Sequence, residues 1–206
     1  EGSKPYWTMD KGISFSAFQL WLQCREQFRL KYTHGWRPLE KKDAALVFGS
    51  MMHELIEHRP LPTDEMAILS ILQKVWGSPP DRPVLEAKAA ALYKVYHKFY
   101  NLSTEKRVKA EHEFNYPYEF THAGKKYSII IKGFIDCVLE RDKNAIAIRE
   151  TKTRTDMAID NTTVALTADL QANSYFLACE QVLGKFPELL IYDLIKKPQH
   201  VYNPAK

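Results

Sequence analysis

Two stretches of the chain carry side chains suited to metal or phosphate chemistry. The first is GSMMHELIEH, residues 49–58. It comes close to HExxH, in which histidines at i and i+4 share one helix face and grip a zinc ion. Here His53 and His58 stand five residues apart, so at 3.6 residues per turn they diverge by roughly 140°. The residue at i+4 is Glu57, and no third histidine or cysteine follows at ligand spacing. The zinc-protease reading fails. His53 is then either a histidine on the surface of an amphipathic helix or a ligand whose partners lie elsewhere in the chain.

The second stretch is GFIDCVLERDKNAIAIRETKT. Asp136 lies inside an apolar strand, where an ionised carboxylate is costly unless something compensates it. In the next strand Glu150 and Lys152 project to one side and Thr151 to the other, because strand side chains alternate. If the strands pair around RDKN, Asp136 and Glu150 approach each other, with an ammonium beside them. Two adjacent carboxylates repel, so one keeps its proton unless a cation intervenes. Oxygen ligands favour a hard ion such as Mg²⁺, and the lysine can orient a water or stabilise charge developing on phosphate. Taken alone, E-x-K on a strand also fits a surface ion pair between Glu150 and Lys152.

The elements that must position these groups follow from periodicity and punctuation. The spacing predicts a helix from near Ser16, with Ser16 and Gln19 as a capping box, apolar positions at Phe18, Leu22, Phe28 and Leu30, and Arg25, Arg29 and Lys31 on its polar side. KKDAALVFGSMMHELIEH predicts a second helix capped by Asp43. A third spans about Thr63 to Trp76 and stops at GSPPDRP; a fourth covers about Val84 to Tyr100. After residue 106 the character turns to strands, joined by THAGKK and RDKN as hairpin turns. NTTVALTADLQANSYFLACEQVLG predicts a long helix closed by Gly184, and ELLIYDLIKK a last strand before Pro198. The order is helices, then β-β-β-α-β: an α/β domain with a central mixed sheet. One domain over 1–206 is expected, with a helical portion at 14–101 and a sheet core at 107–198.

Composition sets the class. Hydrophobic residues at 45% and charged residues at 26% are those of an ordinary globular protein. No apolar run reaches the length of a membrane span and no signal peptide opens the sequence as given. Cys24, Cys137 and Cys179 are odd in number and widely spaced, which predicts reduced thiols in a cytoplasmic setting. A net charge of +4 permits a nucleic-acid partner without requiring one.

With its motifs in this order the chain resembles the PD-(D/E)XK nuclease superfamily, in its RecB-type exonuclease branch. The signature D…E-x-K is matched by GFID and ETK, with thirteen residues between Asp136 and Glu150. GSMMH matches G-x-x-x-H on an upstream helix, with Gly49 and His53; QANSY matches Q-x-x-x-Y on the helix after the third strand, with Gln171 and Tyr175. The opening SFSAFQLWLQCREQFRLKY is similar to that branch's first helix, and the resemblance covers about Ser14 to Pro198.

The resemblance implies a restriction-endonuclease-like core, α-β-β-β-α-β, with an N-terminal helical portion. It implies a metal site of His53, Asp136, Glu150 and the backbone carbonyl of Thr151, loaded with Mg²⁺ or Mn²⁺. Lys152 would position a water or steady the transition state, and Gln171 and Tyr175 would touch the substrate phosphate or support Lys152. One of Glu111 and Glu113 would join the outer shell. The expected activity is that of a DNA exonuclease in recombination, repair or replication, working beside partner proteins of those processes in a prokaryotic or phage-infected cytoplasm. Arg25, Arg29 and Arg154 are candidate contacts for flanking phosphates, and Trp21, Trp36 and Tyr175 for unpaired bases. Some members hold an iron–sulfur cluster on one N-terminal and three C-terminal cysteines. Cys24 matches the first and nothing after Cys179 supplies the others, so no cluster is expected. The rival readings are a catalytically silent nucleic-acid-binding or scaffolding module on the same fold, and a hydrolase of other phosphate esters.

Overall fold

A long hairpin is the backbone of the sheet. In the computed structural model, which describes residues 11–36, 44–141, 145–154 and 170–197, strands β2 (Arg107–His122) and β3 (Lys125–Glu140) pair antiparallel along their length. The turn between them is Ala123–Gly124, with both residues at left-handed φ of 48° and 74°. Those angles belong to the tight turn whose twist matches the flanking strands. Strand β4 (Ile146–Arg154) pairs antiparallel with the end of β3, and β5 (Leu189–Lys196) lies parallel to β4. A two-residue strand β1 (Ile13–Ser14), too short to announce itself in the sequence, pairs parallel with Ile131 and Lys132 of β3.

Helices cover both faces of the sheet. On one side α3 (Ala44–His58), α4 (Glu65–Lys74) and α5 (Arg82–Tyr100) enclose Met51, Met52, Leu55, Ile68, Leu72, Ala89 and Tyr93, and this core closes on Ile195 of β5. On the other side α6 (Leu170–Leu183) packs Tyr175, Ala178 and Cys179 against Phe114, Ile135, Val138, Ile146 and Ile148. The result is a mixed α/β fold with a central mixed sheet between helices, the restriction-endonuclease-like architecture. No helix among the described residues is long and apolar enough to cross a membrane.

The first helix departs from its expected start. α1 spans Phe15–Gln23 and its cap is Ser14, not Ser16: the Ser14 hydroxyl accepts the Ala17 N–H at 3.3 Å. Ser14 is already extended as the last residue of β1, the backbone state a capping residue needs. Nor is the helix continuous. Cys24 is extended, with φ −156° and ψ 102°, and separates α1 from α2 (Arg25–Phe28), which runs into a π-helical turn at Arg29–Thr33. The Asp43 cap, the tip of the RDKN turn, the first part of the long helix and Pro198 lie outside the described residues.

Candidate metal and phosphate site

The site begins where the sheet forks. β1 and β4 share one edge of β3, since β2 holds the other. β1 covers Ile131 and Lys132; β4 pairs from Cys137↔Arg149 onward. Between them Gly133 to Asp136 have no ladder partner on that edge among the described residues. The side chain of Asp136 takes up the slack: its Oδ2 accepts the backbone N–H of Thr151 at 2.9 Å. The pairing of Asp136 and Glu150 foreseen across the RDKN turn is thus the next step of the register after Cys137↔Arg149, opened into a fork.

Three elements send a ligand toward the fork. His53 lies on α3 in a stripe with Leu46, Gly49, Ser50 and Glu57 that faces a cavity of about 640 Å³; three- and four-residue spacing puts these on one helix face. Gly49 lets the helix come close, because a Cβ there would meet Thr153 Oγ1 at 3.3 Å. The Nδ1 atom of His53 is 3.7 Å from Asp136 Oδ2 and 3.7 Å from Glu111 Oε1. Glu111 is supplied by β2. Its neighbours pair as Ala110↔Cys137 and His112↔Ile135, which sets it opposite Asp136, and its left-handed φ of 43° lifts it out of the regular ladder. A non-glycine residue held there is strained, and such strain gathers at functional sites.

One ligand atom from each of His53, Glu111 and Asp136 lies within 4.8 Å of the other two. A ring nitrogen and carboxylate oxygens at this separation suit a divalent cation. Glu150 stands just beyond this trio rather than within it. It is 1% exposed; Lys152 Nζ is in ion-pair contact with Oε1, and otherwise neither carboxylate oxygen is satisfied among the described residues. A buried carboxylate left so is expensive.

Electrostatics follow from this crowding. Burial, reinforced by the charge of Asp136, pushes the Glu150 carboxyl from 4.5 up to about 7 against the pull of Lys152. Asp136 is also raised, by burial above all, although His53 and the Thr151 N–H work the other way. For His53 burial disfavours the imidazolium, but Glu111, Asp136 and Glu150 outweigh it and hold the ring above its ordinary value. Three carboxylates around one histidine and one lysine form a site short of positive charge, which a divalent cation would balance.

On the far side of Asp136 and Lys152 a second cavity, about 320 Å³, opens toward α6 and the start of α1. Lys152 Nζ donates to Gln171 Oε1 at 3.4 Å, and the Gln171 amide in turn donates to the Tyr175 hydroxyl. Burial, with Glu150 and Asp136 nearby, raises the Tyr175 phenol well above its ordinary value, so it stays protonated. Ser14, Phe15, Ser16 and Gln19, from the opening stretch that resembles the branch's first helix, line this cavity too.

Behind the fork lies a buried ion network. Arg149, 1% exposed, donates from Nη1 to Glu105 Oε1 at 2.5 Å and from Nη2 to Glu105 Oε2 at 3.0 Å, and its Nε is 3.5 Å from Asp193 Oδ2. The Tyr96 and Tyr100 hydroxyls donate to the two oxygens of Asp193 at 2.6 and 2.5 Å. Asp193 is the register partner of Thr151, so the network pins β4 on the face opposite Glu150.

The basic residues named from the sequence are elsewhere. Arg29 is engaged by Glu26 at 2.6 Å, and the Arg25 guanidinium lies 4.8 Å over the Trp21 ring. Arg154 is exposed at the end of β4, and none of the three lines either cavity. His58 sits with Glu54 and Glu57, away from His53. Cys24, Cys137 and Cys179 are free thiols, the last two buried.

A carboxylate–carboxylate–lysine constellation at the fork of a mixed sheet, with a histidine delivered by a flanking helix, defines a nuclease-like site on a restriction-endonuclease-like fold. The chain belongs to the PD-(D/E)XK nuclease superfamily, whose model matches residues 12–203. Among solved structures it is similar to "Crystal structure of SSO0001", at 15% identity over 93% of this chain and 81% of that one, with a TM-score of 0.30. No curated protein matches the chain.

Proposed function

We propose that the protein is a metal-dependent deoxyribonuclease of the RecB type that hydrolyses phosphodiester bonds from DNA ends in recombination, repair or replication. The observation that carries this reading is Glu150, a fully buried carboxylate beside Lys152 and otherwise unsatisfied, across from Asp136 where the ladder opens one step beyond Cys137↔Arg149. In this reading His53, Glu111, Asp136, Glu150 and the Thr151 carbonyl hold one or two Mg²⁺ or Mn²⁺ ions. When bound, such an ion supplies Lewis acidity toward the phosphate and lowers the pKa of a coordinated water.

The chain's own residues do the rest. The Thr151 N–H fixes Asp136 Oδ2, the oxygen 3.7 Å from His53 Nδ1, and so holds the carboxylate toward the site. Lys152 is tethered between Glu150 and Gln171, which aims its ammonium at the space where a phosphate oxygen or an attacking water would sit. Tyr175, kept protonated, orders the Gln171 amide. Arg25, Arg29 and Arg154 remain candidates for phosphates further along a bound strand. Glu150→Ala or Lys152→Ala should abolish metal-dependent cleavage of end-labelled DNA while leaving the fold intact. Full activity in either purified variant removes the assignment.

A further inference from the structure

The hairpin of β2 and β3 runs past the rest of the sheet. From Tyr118↔Ile129 to His122↔Lys125 its strands have only each other among the described residues, a ribbon of roughly 13 Å at about 3.3 Å per residue. A free two-stranded ribbon gains little from its own packing. This one nevertheless displays rings: Tyr118, Phe120 and Tyr127 are 43%, 38% and 39% exposed. Alternation and the Phe120↔Tyr127 pairing set all three on one face. They stack as a continuous surface, Tyr118 on Phe120 at 6.1 Å and 25°, Phe120 on Tyr127 at 5.4 Å and 18°.

The same face continues inward through Tyr116 and Ile131 to Phe114 and Gly133. Phe114 and Gly133 line the smaller cavity together with Asp136, Glu150 and Lys152, and Phe114 meets Tyr175 edge-on at 5.9 Å. Charge stands at its ends: the His122↔Lys125 pair follows Tyr127 on this face at the tip, Lys126 projects from the other face, and Lys132 lines the cavity at the inner end. The aromatic face therefore leads into the carboxylate–lysine site and is flanked by cations at both ends.

We infer that this ring face is a stacking platform for the unpaired bases of a single nucleic-acid strand, with its phosphates drawn to the flanking lysines and its reacting end delivered to Asp136 and Lys152. The inference rests on the nuclease reading and names its substrate as single-stranded. A duplex hides the faces of its bases within its own stack. Flat exposed rings in series are matched by unpaired bases, every one of which offers a π-face, and the lysines are matched by phosphates.

The test compares wild-type protein with the triple variant Tyr118→Ser, Phe120→Ser, Tyr127→Ser. Binding of an unstructured thymidine oligonucleotide is measured in EDTA, and hydrolysis of oligonucleotide and of bis(p-nitrophenyl) phosphate with Mn²⁺. The expected result is a tenfold or greater weakening of oligonucleotide binding, with small-ester hydrolysis unchanged. A 2-aminopurine base in the oligonucleotide should be quenched by the wild type, a readout independent of how the variant folds. Unchanged affinity in a folded variant, no quenching, or equal affinity for blunt duplex overturns the platform. So does a dimeric wild type that the substitutions make monomeric, because the face would then bury a second copy. If wild-type protein quenches and binds the strand yet cleaves neither oligonucleotide nor ester, the nuclease reading fails and the platform stands.

Discussion

Replacing Glu150 with glutamine should change how the metal-free protein responds to pH. In the folded chain the Glu150 carboxyl is held near 7 rather than at 4.5, by burial and by the charge of Asp136. Each pH unit of such a difference corresponds to about 1.4 kcal/mol, so keeping Glu150 ionised in the fold costs about 3 kcal/mol. Below about pH 4.5 the group is protonated in folded and unfolded chains alike, and the wild type and Glu150→Gln should be nearly equal in stability. Between about 4.5 and 7 the unfolded chain releases a proton that the folded chain retains. The unfolded state then binds fewer protons, so folding stability falls as pH rises. By about pH 8 the glutamine variant should be the more stable by about 2–3 kcal/mol, part of the full figure being shared with Asp136, whose own carboxyl relaxes when its neighbour loses its charge. Urea denaturation in EDTA at half-unit steps from pH 4.5 to 8 measures the difference directly. A variant-minus-wild-type difference that stays flat across that range would refute the claim that Glu150 is a buried charge awaiting a cation. Adding Mn²⁺ at pH 7.5 should shrink the gap, because an ion that binds only the folded site stabilises the wild type by mass action.

Other consequences can be checked with single substitutions. Glu111→Gln should weaken Mn²⁺ binding at least tenfold by calorimetry, as Asp136→Asn should, whereas Glu113→Gln leaves it unchanged. Gly133→Ala forces a Cβ to within 3.0 Å of two Phe114 ring atoms, an overpacking worth about 1–3 kcal/mol, and should lower the melting temperature. Arg149→Met removes the guanidinium from Glu105 and Asp193, which keep Arg59 and the Tyr96 and Tyr100 hydroxyls respectively; the loss should therefore fall below the about 3–5 kcal/mol of a buried pair broken with nothing to compensate it, measurable by urea denaturation. The same substitution should lower kcat more than it raises KM if the network's task is to hold β4 and Glu150 in place.

The fold was legible because its elements announce themselves locally. The apolar run in GFIDCVLE, turn residues in THAGKK and the apolar stripe of α3 each need only neighbours along the chain. From there pairing of the two strands around RDKN predicts that Asp136 and Glu150 come close, and the observed ladder reaches Cys137↔Arg149, one step short of them. What stayed hidden depends on contacts between distant residues. Glu111 and Glu113 have the same parity on β2, and only the 110↔137 register sets Glu111 opposite Asp136. A two-residue β1 carries no periodicity, so Ser14 was passed over as the cap in favour of Ser16, which has the more familiar capping-box spacing. Arg149 carries no signal along the chain; that it is buried between Glu105 and Asp193 follows from residues 44 positions upstream and 44 downstream.

The central claim, a metal-dependent nuclease centred on Asp136, Glu150 and Lys152, is tested most directly by digestion of end-labelled single- and double-stranded DNA. The assay is run with Mg²⁺, Mn²⁺ or EDTA, beside a folded Lys152→Ala variant. A ladder of shortening products that requires the metal, and is lost in EDTA and in the variant, is the predicted result. Intact DNA under every metal, with the strand still bound, would contradict it and leave a nucleic-acid-binding module on a nuclease fold.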